Sequence, residues 1–162
     1  MLFRSSLITL PAWANSWNAE TIQNARFLAP SQDALLAEIV ETIIPKTDTP
    51  GAKDLGIHVL IQKIVKDCYD MPAQEKMAKA IDAVENLAKK THNKSFTDCE
   101  AAQRLDLLKS MDNSSDAELK GFLKMLKRMT TDGYMKSQYV MENILKYEFA
   151  PARFYGCVPV KA

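Results

Sequence analysis

The chain has 162 residues, 47% of them apolar, with 21 Lys and Arg against 20 Asp and Glu; this is enough for one domain with its own core and too little for two. The charges are interleaved and nearly cancel, which leaves neither the basic footprint of a nucleic-acid binder nor a polybasic patch for a membrane surface. Five glycines, with no Walker pattern and no G-x-G-x-x-G run, leave no nucleotide cradle of a familiar kind.

Residues 1–30 read as a signal-like or arm segment. Arg4 precedes an apolar run from Leu7 to Ala14, and Ala12-Trp13-Ala14 has the small-x-small form that precedes a signal-peptidase cut. A single basic residue and the interruption at Pro11 make that signal thin. The alternative is an uncleaved arm whose Trp13, Trp17 and Phe27 pack on the domain or on a partner. About 20 apolar residues never run together, so no membrane-spanning helix is expected.

Residues 31–162 form the second unit, a single helical domain. Ser31 is placed to cap a first helix with Leu35, Leu36, Ile39, Val40 and Ile43 on one face, stopped by Pro45. A second helix is expected from about Leu55 to Tyr69, with Val59, Leu60, Ile64, Val65 and Cys68 recurring at three and four. Pro72 suits the first turn of a third, striped by Met77, Ile81, Val84 and Leu87. Thr97-Asp-Cys-Glu100 and Ser115-Asp-Ala-Glu118 match the capping box. They open stripes at Leu105 and Leu108, and at Leu119, Phe122, Leu123, Leu126 and Met129. A last helix from Ser137 to Leu145 precedes the tail KYEFAPARFYGCVPVKA, whose two prolines and aromatics predict an extended strap. No alternating strand pattern occurs, so the fold class is all-α: a small helical bundle with an extended C-terminal strap.

Between the first two helices lies TDTPGAKDLG, residues 47 to 56. Pro50-Gly51 predicts a type II turn, with Gly51 supplying the positive φ and Thr47, Asp48 and Thr49 capping backbone groups.

Side chains that could carry chemistry are scattered. His58 falls on a helix face and His92 in a loop, and neither has a second histidine at metal-pair spacing. Cys68, Cys99 and Cys157 are too dispersed for a zinc or iron–sulfur rule. They permit one bridge, Cys157 with Cys68 or Cys99, against the simpler reading of buried free thiols. Met125 and Met129 continue an apolar stripe. No catalytic, cofactor-binding or metal constellation is assigned.

ETIIPKTDTPGAKDLGIHVLIQKIVKDCY, residues 41 to 69, resembles the signature of the gluconate 2-dehydrogenase subunit 3 family, small subunits of periplasmic flavin-dependent sugar and polyol dehydrogenases. GYMKSQYVMENILKYEFAPARFYGCVPV, residues 133 to 160, resembles that family's closing segment. The resemblance implies a non-catalytic partner of a large flavoprotein of the glucose-methanol-choline oxidoreductase type. That partner carries FAD, and its electrons pass to a cytochrome c or another acceptor. Many members carry a twin-arginine signal and are thought to escort the large subunit across the membrane; here Arg4-Ser5-Ser6-Leu7 resembles only the downstream end of such a signal, with no Arg-Arg pair before it. On that reading Thr47, Asp48, Thr49, Pro50, Gly51 and Ala52 in the loop, and Phe149, Phe154, Tyr155 and Val158 in the strap, are the candidate partner contacts. A stand-alone periplasmic helical module binding a small ligand is the alternative, and a small enzyme using Cys68 or His58 a third class.

Overall fold

The computed structural model describes residues 27–148. Its helices are α1 Pro30–Ile43, α2 Ile57–Cys68, α3 Met71–His92, α4 Ala101–Asp112 and α5 Ala117–Met135. A 3-10 turn, Phe96–Asp98, joins α3 to α4, and a π-helical turn, Val140–Ile144, follows α5. No strand occurs among the described residues, in keeping with the expected all-α class. Trp13, Trp17 and residues 149–162 of the strap lie outside the described residues.

α1 is the central helix and packs against each of the other four. Its sequence requires that position. Leu35, Leu36, Ala37, Ile39 and Val40 are all buried, an arc too broad to satisfy against one neighbour. The α1 start lies earlier than Ser31: Pro30 takes the first helical position, and Gln32 Oε1 reaches back to accept from the Ala29 N–H at 3.3 Å.

α2 and α5 run antiparallel. Ile57 and Leu60 approach Gly133 near the end of α5, while Val65 and Tyr69 share a cleft with Phe122 and Leu119 near its beginning. α3 begins as expected, with Asp70 Oδ1 accepting from the Ala73 N–H at 3.1 Å and Pro72 in the first turn. It runs on to include His92, which was expected in a loop, and ends at Asn93 in the left-handed region.

Both expected capping boxes are displaced. Phe96 is fully buried and draws Thr97 into the 3-10 turn, so α4 starts three residues later, with Gln103 Oε1 accepting from the Glu100 N–H at 3.1 Å. α5 is capped by Asp116 rather than Ser115, its Oδ1 accepting from the amides of Glu118 at 2.9 Å and Leu119 at 3.3 Å. A carboxylate one residue on reaches the same amides and also opposes the positive helix end.

On α4 the buried positions are Leu107, Leu108 and Met111, and the predicted stripe residue Leu105 is 43% exposed. Cys68, expected on an apolar stripe, is exposed, and Cys99 is buried. The expected last helix is shorter than Ser137 to Leu145 and widens into the π turn, where the Leu145 N–H donates to Val140 O at 2.9 Å.

Candidate functional site

The segment from Pro45 to Gly56 leaves the bundle and returns to it through a closed neck. Ala52 donates its N–H to Ile44 O at 3.0 Å and accepts at its carbonyl from the Ile57 N–H at 3.1 Å, while its methyl group is fully buried. Ala52 is therefore the plug of the loop. Gly51 is buried beside it.

Two of the loop's amides are satisfied from α1. Glu41, in its last turn, accepts from the Lys46 N–H through Oε1 at 2.8 Å and from the Lys53 N–H through Oε2 at 3.0 Å, so one carboxylate ties both limbs. The expected roles of Thr47, Asp48 and Thr49 as caps of these amides pass to Glu41. Thr47 and Thr49 bond only each other in the loop: the Thr47 N–H donates to Thr49 O at 3.0 Å, and their hydroxyls lie 3.5 Å apart.

Gly51 also differs from its expected role. Among the described residues the glycine with positive φ is Gly56, at +66°, which leads into α2; Gly51 does not form the predicted type II turn. Its requirement is space. A Cβ at Gly51 would stand 2.3 Å from Glu41 Oε1 and 2.4 Å from Oε2. Only a residue without a side chain admits the clasp.

One turn earlier on α1, Glu38 accepts from Lys53 Nζ at 2.5 Å and from Arg104 Nη1. Arg104 goes on to donate from Nε to Phe96 O at 3.1 Å and from Nη2 to Thr97 O at 2.6 Å, with its guanidinium over the Phe96 ring at 5.7 Å. Burial pushes the Glu38 carboxyl up, but the hydrogen bonds and charges of Lys53 and Arg104 outweigh it and hold the group below its ordinary value. From α5, the Tyr134 hydroxyl donates to Pro50 O at 2.9 Å and lies 3.4 Å from Thr49 Oγ1. At the rim Lys46 pairs with Asp54 at 3.1 Å. The loop is thus pinned from α1, α4 and α5, and its exposed tip is Thr47 and Asp48. Asp48 pairs with no cation among the described residues.

Beside the loop lies a cleft of about 530 Å³ between α2 and the end of α5, lined by Leu55, Ile57, Leu60, Gly133, Tyr139 and Asn143 among others. Leu60 lies across bare backbone here, with Cδ2 3.1 Å from where a Gly133 Cβ would be. Leu60 is 40% exposed, and Ile144, Leu145 and Tyr147, immediately after the cleft wall, are more than half exposed. The start of α2, from the first segment that carried the family resemblance, and Gly133 to Asn143, from the second, therefore meet at one end of the bundle. The strap residues Phe149, Phe154, Tyr155 and Val158 lie outside the described residues.

A second cleft, about 550 Å³, opens between α3 and the start of α5 over Val65, Met77, Phe122 and Met125. No group of three or more His, Cys, Asp or Glu close enough to hold a metal occurs among the described residues, and no helix there is long and apolar enough to cross a membrane. Cys68 and Cys99 are not joined to each other; a bridge from either to Cys157 falls outside the described residues.

Sequence reasoning missed Glu38, Glu41, Arg104 and Tyr134. The available signals were slight: two acids three apart at the end of a helix facing a Pro-Gly loop, and a tyrosine next to a helical glycine.

A family model described as Gluconate 2-dehydrogenase subunit 3 matches residues 30–151, well over half of the chain. No curated protein and no solved structure matches the chain significantly.

Proposed function

The chain belongs to the gluconate 2-dehydrogenase subunit 3 family, small subunits of dehydrogenase complexes, and we propose that it is the non-catalytic, gamma-type subunit of a flavin-dependent sugar or glucoside dehydrogenase. Its partner is a large flavoprotein of the glucose-methanol-choline oxidoreductase type, which holds FAD, oxidises the substrate and passes electrons to a cytochrome c or another acceptor. The complex works in the periplasm, and binding of the small chain stabilises the large one and escorts it in export.

The observation that carries this reading is the pinned loop beside an exposed apolar end. Four large apolar side chains at one end of a bundle are costly in water and profitable against a partner. A loop whose Lys46 and Lys53 amides are already tied to Glu41, and whose Pro50 carbonyl is tied to the Tyr134 hydroxyl, loses little conformational entropy on docking. Thr47 and Asp48 offer the polar edge of the contact, with Leu60, Leu145 and the strap residues Phe149, Phe154, Tyr155 and Val158 as its apolar part.

The test is co-expression with the flavoprotein and recovery of the complex on a tag carried by the small chain. Asp48→Lys combined with Leu145→Asp should lower recovery at least tenfold while leaving the circular dichroism melt of the small chain unchanged. Full recovery with both substitutions would refute this face as the interface. Flavin absorbance in the purified small chain alone would refute the non-catalytic assignment. The second cleft favours the module that binds an apolar ligand; that reading requires saturable binding of such a ligand by the isolated chain, lost in Met77→Glu.

A further inference from the structure

We propose that the cleft between α3 and the start of α5 is a binding site for an amphiphile with an apolar body and an anionic head, of the fatty-acid class. The cleft lies at the opposite end of α2 and α5 from the pinned loop, so this site is separate from the proposed docking face and does not depend on it.

The floor is apolar. Val65, Met77 and Phe122 are buried, Leu119 and Met125 are partly so, and together they line a cleft of about 550 Å³. That volume is typical of small-molecule sites, which are mostly apolar with a few polar groups at fixed points. Two of the five side chains are methionines, which re-pack readily around a flexible apolar ligand.

Gly121 points the same way. It stands in the second turn of α5, where glycine destabilises a helix relative to alanine. Nothing among the described residues requires it there: its φ is not positive, and a Cβ would meet no atom within 4 Å. Gly51 and Gly133, by contrast, face Glu41 and Leu60 at 2.3 and 3.1 Å. Gly121 lines the cleft, and Ala73 and Ala80 on the α3 wall are short as well. The missing side chain leaves room beside the floor for a molecule from outside the chain.

The lips select the head group. Lys76 and Lys79 line the α3 side, and neither forms an ion pair with a described residue. Asp116 and Glu118 line the α5 side, but they stand at the start of that helix, whose positive end offsets their charge. Asp116 Oδ1 is moreover committed to the amides of Glu118 and Leu119. The two lysines stand beyond the first turn of α3 and have no such compensation. The charge left to a ligand is therefore positive. Tyr69, 40% exposed at the end of α2, adds a ring with a hydroxyl to the cleft's lining, which suits the junction between an apolar body and its head.

The experiment titrates the full chain by calorimetry with three probes below their micelle-forming concentrations: decanoate, decanol and decyltrimethylammonium. Decanoate should bind saturably, one per chain, and more tightly than the cationic probe. Lys76→Ala with Lys79→Ala should weaken decanoate roughly fivefold and leave decanol unchanged. Gly121→Leu fills the open space, so it should abolish binding of decanoate and decanol while the melting temperature holds or rises by roughly 2–5 °C. Recovery of the flavoprotein by that variant should be unchanged. Binding without saturation, or equal affinity for decanoate and the cation, would overturn the proposal, as would decanoate binding retained in Gly121→Leu. A lower melt in that variant would contradict the open space on which the site rests. Loss of flavoprotein recovery in Gly121→Leu alone would give the cleft to the partner protein instead.

Discussion

Replacing Gly51 by alanine should destabilise the domain through a residue ten positions away. The new Cβ would stand 2.3 and 2.4 Å from the two Glu41 carboxylate oxygens, so the carboxylate has to withdraw. Withdrawal gives up its hydrogen bonds to the amides of Lys46, at 2.8 Å, and Lys53, at 3.0 Å. Hydrogen bonds to a charged group contribute about 1.5–3 kcal/mol each when well buried. Glu41 is only half-buried, so water replaces part of what is lost. Alanine also restricts the unfolded chain, which returns about 0.4–1 kcal/mol. The net expectation is a loss of about 1–3 kcal/mol, or roughly 3–12 °C in melting temperature for a domain of this size. The assay is a double-mutant cycle by thermal denaturation with Glu41→Ala. If displacement of Glu41 is the cause, Gly51→Ala costs almost nothing once Glu41 is gone. An equal cost with and without Glu41, or no cost in either background, would refute the steric account of this glycine.

Three further outcomes follow from the same geometry. The Glu38 carboxyl is held below its ordinary 4.5 by Lys53 and Arg104 despite burial; a lowered pKa in the folded state contributes stability above the unfolded value that is lost as pH falls through the folded one. The melting temperature should therefore drop as pH falls below about 4.5, and Glu38→Gln should flatten that limb; a parallel acid limb in the variant would show that other groups set it. Tyr134→Phe removes the hydroxyl donor to Pro50 O and should cost about 0.5–1.5 kcal/mol, with faster amide exchange confined to the loop; unaltered exchange there would mean the tyrosine does not pin it. Thr130 is fully buried and its Oγ1 has no hydrogen-bond partner among the described residues, so Thr130→Val should leave stability unchanged or raise it by up to about 1 kcal/mol in urea unfolding. A clear loss would reveal a partner for that hydroxyl.

What the sequence determined by itself was the order and kind of the elements. Leu36, Ile39 and Val40 recur at the helical period, and a stripe that broad has to be central; Met77, Ile81 and Val84 likewise announce the buried face of α3. The family was legible in the segments beginning at Glu41 and Gly133, which carry its motifs as contiguous text. The exact caps were not, because Thr97 and Ser115 fit the pattern locally while the burial of Phe96 and the reach of Asp116 chose other residues. Leu105 and Cys68 turned outward because packing selects among positions that periodicity treats as equivalent. Only the tertiary structure gave Gly51 its reason, and only it joined Pro50 to Tyr134, 84 residues apart. A repeating stripe is written within one or two turns of chain, whereas a close approach between distant residues depends on how helices cross, and leaves no periodic trace at either end.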